Sequence, residues 1–245
     1  MSFKIIKLRR SGKRFQSTKE WLNSKHTFSF GIYQDKLWNN FGAIKVINED
    51  LISAGSGFPM HSHKNMEIIT IVTQGVITHR DSLNNISRVS ANEVQIMTAG
   101  KGISHSEQNE EDFDCKLLQI WVRPNEDNLE PSYKQISFNA TVDFQLIIAP
   151  EAVANRILGI NQNIFLWRCQ HQSEGKIYLP NTIKKYNWIQ IIKGSMVLLD
   201  NNKKTKLKMY EGDGVGFYLE NIDGIEIREV KKVEYILFSF ESLSD

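Results

Sequence analysis

The sequence predicts an all-β chain built from two barrel-like units. Three observations predict it. Short runs rich in β-branched and aromatic residues recur between turn residues, helical periodicity is sparse, and the second half weakly repeats the first. A chain of 245 residues has room for one large or two modest domains. The expected division is a first domain over 1–124, a connector over 125–150 and a second domain over 151–245.

The elements follow in order. Phe3 to Leu8 alternates apolar and basic residues and reads as a first strand, and Arg9 to Ser17 is basic and turn-like. Thr18-Lys19-Glu20-Trp21-Leu22 reads as a helical turn. His26 to Phe30 alternates and reads as a strand closed by Gly31. Phe41 to Ile47 is a further strand, with Asn48-Glu49-Asp50 as its turn. Gly55 and Gly57 open the next stretch, and Ile68 to Val72 carries the β-branched run of a strand. Gly75 marks a turn or bulge before the strand Val76–His79. Asn84-Asn85 suits a tight hairpin, because Asn tolerates positive φ. Ala91-Asn92-Glu93 is a turn before Val94–Met97, and Leu117 to Val122 closes the first unit.

The repeat supports the second unit. Trp188 to Val197 echoes the strand–Gly75–strand segment, and Glu211-Gly212 echoes the turn at Asn92. Gly75 and Asn92 are seventeen positions apart, Gly194 and Gly212 eighteen.

The chemistry concentrates between Gly55 and Glu107. Residues two apart on a strand share a face, so His61 and His63 aim the same way, and so do His105 and Glu107. Two such pairs on neighbouring strands would offer three imidazoles and one carboxylate to one ion. That set suits a divalent first-row metal with open positions. Fe(II) is the expected ion, and the affinity order also admits Ni, Co, Cu, Mn or Zn. Glu67 has the same parity as His63, and spacing leaves it open as a ligand. Carried through the repeat, the ligand positions fall on or near Pro180, Thr182, Ile227 and Ile225, so the second unit is expected to lack a metal. His26 is a candidate lining residue. His79 reads as a partner of Asp81, and Lys101 as a solvated loop lysine. Ile44, Ile69, Ile71, Ile96, Met97, Phe28 and Phe30 are the expected apolar walls.

These residues resemble a family. Gly55-x5-His61-x-His63-x3-Glu67-x7-Gly75 is similar to the first cupin motif, with one extra residue before its last glycine. Gly102-x2-His105-x3-Asn109 is similar to the end of the second. More narrowly, His79-Arg80-Asp81-Ser82, Met97 to Glu107, Trp21-Leu22 and His26 to Phe30 resemble the pirin branch, in particular bacterial pirin-like quercetin 2,3-dioxygenases. The resemblance spans nearly the whole chain and thins after Pro150. It implies a bicupin of two jelly-roll-type barrels. It also implies that the fourth ligand is Glu107, two residues after the last histidine, rather than Glu67. The activity it implies is cleavage of a flavonol such as quercetin by dioxygen with release of carbon monoxide, Glu107 also acting as base toward the 3-hydroxyl. The family holds a second role: an iron-containing regulator that binds a protein partner, the metal serving as redox switch.

Composition narrows the partners. A net charge of +2 gives no field for nucleic acid or a membrane surface. Two cysteines, Cys115 and Cys169, form no disulfide framework and suit a reducing cytoplasm. Charge interrupts Ser2 to Arg10 too often for a signal peptide, and no run approaches a membrane span.

Overall fold

The structure, a computed structural model, describes residues 3–138, 143–171, 177–180, 182–200, 206–220 and 225–243. Among them there is no α-helix, only strands and three 3₁₀ turns. The first strands are β1 (Phe3–Arg9), β2 (Phe15–Lys19), β3 (Leu22–His26), β4 (Ile44–Ile52), β5 (Ser56–His63) and β6 (Glu67–Gln74). Next come β7 (Val76–Asp81), β8 (Ile86–Ser90), β9 (Glu93–Thr98), β10 (Ile103–Asn109), β11 (Cys115–Val122) and β12 (Ser132–Ser137). The remainder are β13 (Phe144–Pro150), β14 (Leu158–Ile160), β15 (Ile164–His171), β16 (Ile177–Tyr178), β17 (Tyr186–Asp200), β18 (Lys206–Tyr210), β19 (Gly214–Leu219) and β20 (Ile225–Phe240).

One compact unit comprises Arg14–Phe138 and Glu151–Gln162. It contains two antiparallel sheets, ordered β5-β10-β7-β8 and β12-β9-β6-β11-β4-β3-β2. Leu22, Ile52, Val72, Cys115 and Leu117 from the larger sheet pack against Ile77 and Val89 from the smaller one. Each such aliphatic side chain, fully buried, contributes about 1.5–3 kcal/mol.

Three local expectations differ from what is observed. Thr18–Leu22 is the reversal of a β2–β3 hairpin, with Lys19 opposite Leu22, rather than a helical turn. Leu22, Ser24 and His26 are buried alternately along β3, and that period of two decides the conformation. Asn48-Glu49-Asp50 continues through β4 instead of turning, because Asn48 and Asp50 are paired with His26 and Ser24 across the sheet. Past His26 the chain leaves the sheet: Ser29 donates its N–H to the Trp38 carbonyl, and Gly31 has φ +56°.

The other unit takes the chain start up to Lys13, the stretch ending at Pro150, and the chain from Asn163 onward. Its sheet runs β1-β19-β17-β20-β15-β13. Phe3 is buried there, edge-on to Phe217 at 5.8 Å between ring centroids, and Arg10 holds Asp213 at 2.6 Å. These compact units are not contiguous in sequence and cross the positions 124 and 151. The apolar face of β1 completes the second core, and segment 151–162 belongs with the first unit. Asn161 Nδ2 donates to Glu67 Oε1 at 3.2 Å, and the Asn161 carbonyl accepts from the Asn125 N–H at 2.8 Å.

The repeat is visible in the backbone. Gly75 (φ 79°) and Asn92 (φ 69°) match Gly194 (φ 81°) and Gly212 (φ 77°). Asn at 92 meets the same left-handed requirement as glycine. Asn84, at φ 67°, forms the expected β7–β8 turn. No helix among the described residues is long and apolar enough to cross a membrane.

Gly57 sets the spacing of β5 against β10. A Cβ there would lie 2.2 Å from the Glu107 carbonyl oxygen. At Gly12 a Cβ would meet nothing within 4 Å. Gly57→Ala is expected to lose about 2 kcal/mol or more, since backbone rather than a side chain must move. Gly12→Ala should stay within about 0.5 kcal/mol. Urea denaturation of both variants checks the contrast.

Candidate metal centre

The site begins with strand pairing. β10 lies between β5 and β7, and His105 stands directly opposite His61 on one side and Asp81 on the other. Glu107 stands opposite His79. The β5–β10 register slips between His105 and Glu107, so Glu107 faces Phe58 across an extra residue in β5. The bulge falls at Pro59 and Met60, where proline's missing donor does no harm. It brings Phe58 and His61 to the same cavity, although they are three residues apart.

Three imidazoles meet there. Ring centroids are 4.8 Å apart for His61 and His63, 4.5 Å for His61 and His105, and 5.0 Å for His63 and His105. One ligating nitrogen from each lies within 4.8 Å of the other two. His61 Nδ1 donates to the Pro59 carbonyl at 2.8 Å, which leaves Nε2 with its lone pair. His105 is 1 % exposed, and neither ring nitrogen has a hydrogen-bond partner among the described residues. Burial and the neighbouring charges of His105 and His61 push His63 down to about 4. Burial with His61 and His79 pushes His105 down to about 3. Both rings are neutral near pH 7, the form that ligates metal.

Glu107 is gathered with His105 and with His79, a residue expected only to pair with Asp81. His79 Nε2 does bond Asp81 Oδ2 at 3.0 Å, and its ring also stacks on Tyr133 at 4.5 Å between centroids. The Glu107 carboxylate accepts three hydrogen bonds from the opposite sheet. Thr70 Oγ1 (2.8 Å) and Gln95 Nε2 (2.7 Å) reach Oε1, and Gln119 Nε2 (2.6 Å) reaches Oε2. Tyr133 in turn donates to Gln95 Oε1 at 3.0 Å. The sequence reading missed these supporting residues. Their signal was a single polar residue inside an apolar strand run: Ile69-Thr70-Ile71, Val94-Gln95-Ile96, Leu118-Gln119-Ile120.

Glu67 is in neither group. Neighbouring Ile68 lines the cavity, so Glu67 takes the other face of β6, where Thr98 and Asn161 donate to it. Burial raises its carboxyl above the usual range. The parity that linked it to His63 is broken by the turn between β5 and β6, in which Asn65 has φ 50°.

The imidazoles open onto a cavity of about 300 Å³. Phe30, Phe58, Ile68 and Trp121 supply apolar lining, and Ser24, His26, Asn48 and Asp50 supply a polar stretch from β3 and β4. Of the expected walls only Phe30 lines it; Ile44, Ile69, Ile71, Ile96, Met97 and Phe28 are buried elsewhere in the unit. His26 does line it, held by Ser17 and Asn48. Lys101 is outside it, paired with Glu130 at 2.6 Å. Arg80 pairs with Glu110 at 2.7 Å.

Comparison with known proteins now bears on this geometry. The pirin family model matches residues 8–122, and that of the quercetinase C-terminal cupin domain matches residues 146–240. Quercetin 2,3-dioxygenase from Escherichia coli (strain K12) is 36% identical over 96% of this chain and 98% of its own. The chain belongs to the pirin family. The all-β fold is the family's bicupin, with open jelly-roll sheets rather than closed barrels. The E. coli bacterial pirin YhhW, solved in complex with nickel(II), is 36% identical to this pirin. It superposes with a TM-score of 0.86 over 96% of this chain and 98% of that one. A pirin-like protein of Caulobacter vibrioides is 47% identical over 46% of this chain and 49% of its own.

Asp50 has a measurable signature. Burial, opposed by a hydrogen bond from Ser24 and reinforced by the Glu107 and Glu49 charges, raises it to about 7. The folded state therefore keeps this proton to higher pH than the unfolded chain does. Stability from this group is full below about pH 4 and is lost as pH rises toward about 7. In chelator-treated protein, Asp50→Asn should gain relative stability between those pH values, by up to about 4 kcal/mol. Denaturation at several pH values reads the difference.

Proposed function

We propose that this pirin is a metal-dependent dioxygenase acting on a flavonol such as quercetin. The supporting observation is the three-imidazole cluster, and above all His105, buried with both ring nitrogens unpartnered. An orphaned buried imidazole is costly unless an ion or water completes it. The donor set fits a divalent ion: imidazole nitrogens with an adjacent carboxylate. In this reading His61, His63 and His105 hold the ion with Glu107 as fourth ligand. Fe(II) is the resident metal proposed, and the nickel(II) complex of the E. coli pirin supports a divalent ion generally. Such an ion, when bound, supplies a Lewis-acid centre that favours the deprotonated hydroxyl and brings it together with dioxygen.

The protein's own groups do the rest. The His61–Pro59 hydrogen bond fixes one tautomer and aims Nε2. Thr70, Gln95 and Gln119 hold the Glu107 carboxylate in place. Glu107 takes the proton of the flavonol 3-hydroxyl. Phe30, Phe58 and Trp121 flank a flat substrate and keep water from it. Free, buried Cys115 and Cys169 agree with the reducing cytoplasm in which we place the enzyme.

Metal-loaded protein given quercetin in air should bleach the flavonol band and release carbon monoxide. No turnover with any divalent metal would favour the regulatory role instead. Glu107→Gln should lower kcat by about 10²–10⁴-fold. A variant that keeps both full metal content and full activity removes Glu107 as base. Gln119→Leu should weaken metal binding by about 10–100-fold, measured by competition with a chromophoric chelator.

A further inference from the structure

The inner faces of β3 and β4 are polar where a barrel core would be apolar. Ser24 lies opposite Asp50, and His26 opposite Asn48. All four are at most 3 % exposed, and all four line the cavity. Most of their polar atoms are used. Ser24 donates to Asp50 Oδ1. His26 donates from Nδ1 to Asn48 Oδ1 at 2.8 Å and accepts from Ser17 Oγ at 2.7 Å through Nε2. Two atoms are left over: no hydrogen bond among the described residues uses Asp50 Oδ2 or Asn48 Nδ2, and neither is a fully buried orphan, so both are open to the cavity. Each belongs to a residue 2 % exposed that lines the cavity. An acceptor and a donor facing the cavity, two residues apart on one strand, are met by water or by a ligand's own polar groups, and a ligand that leaves either unmatched is penalised.

We propose that Asp50 and Asn48 form a hydroxyl-reading wall. It selects, among flat aromatic substrates of this cavity, those bearing phenolic hydroxyls in addition to the reacting one. Asp50 Oδ2 exchanges a hydrogen bond with such a hydroxyl, accepting when ionised and donating when protonated, and Asn48 Nδ2 donates to its oxygen or to a neighbouring one. The inference rests on the flavonol reading for the class of substrate, and adds which members of the class are preferred. Discrimination of this kind is large when a site's buried polar groups would otherwise go unpaired.

Flavonols with two, one or no hydroxyls on the pendant ring test it: quercetin, kaempferol and galangin. Binding to metal-loaded protein is measured without oxygen, through quenching of tryptophan fluorescence, since Trp121 lines the cavity. Wild type should bind quercetin at least about tenfold more tightly than galangin. Asp50→Leu and Asn48→Leu should each shrink that ratio to within about threefold, and move galangin affinity by less than about twofold. Thermal melts report whether each variant folds, and either folded variant suffices. A wild-type ratio within about threefold, or a ratio unchanged in a folded variant, overturns the inference. Turnover of the same compounds in air separates the two claims. Discriminating binding without turnover leaves the wall standing and removes the dioxygenase. Turnover with indifferent binding does the reverse. If none of the three binds, both fall together.

Discussion

The constraint on which the rest depends is the pairing of β5 with β10. His61 opposite His105 fixes two imidazoles a strand spacing apart, and the period of two adds His63 and Glu107 to the same face. The bulge at Pro59 and Met60 re-aims β5 without breaking that face. Gly57 lets the two backbones close to a distance no side chain would permit. β7 then extends the cluster on the far side of β10 with His79 and Asp81. Three strands thus assemble a group of ionisable side chains that no single segment could hold.

A hydrogen-bonded inner shell answers the electrostatic difficulty this creates. Glu107 is 1 % exposed, and such a carboxylate is tolerated only because three donors from the facing sheet meet it. Asp50 has one donor, and its proton stays on to about pH 7. His63 and His105 are driven neutral by burial and by neighbouring imidazoles, which limits the positive charge in the cluster.

Face-sharing made part of this legible in advance. The His61/His63 and His105/Glu107 pairs, the hairpin at Asn84 and the left-handed Asn92 follow from spacing and from backbone chemistry that short segments carry by themselves. The misassignments have one cause, namely pairing with distant strands. Asn48-Glu49-Asp50 has turn composition, yet β3 and β11 flank it and hold it extended. Glu67 kept the right parity but lies past a turn that moved it to the other sheet. Thr70, Gln95 and Gln119 were visible as polar interruptions, but their common target at Glu107 exists only once three strands from one sheet face a fourth from the other.

The interleaving of the two units has a consequence for biogenesis. Phe3 pairs with Leu219, so β1 finds its place only after β19, far along the chain, has been synthesised. Until then its apolar side chains stay without their neighbours, while the unit from Arg14 to Phe138 already has both of its sheets in hand. Neither unit corresponds to a contiguous fragment. A gene cut between them would deliver one piece carrying a stray strand and another missing its edge.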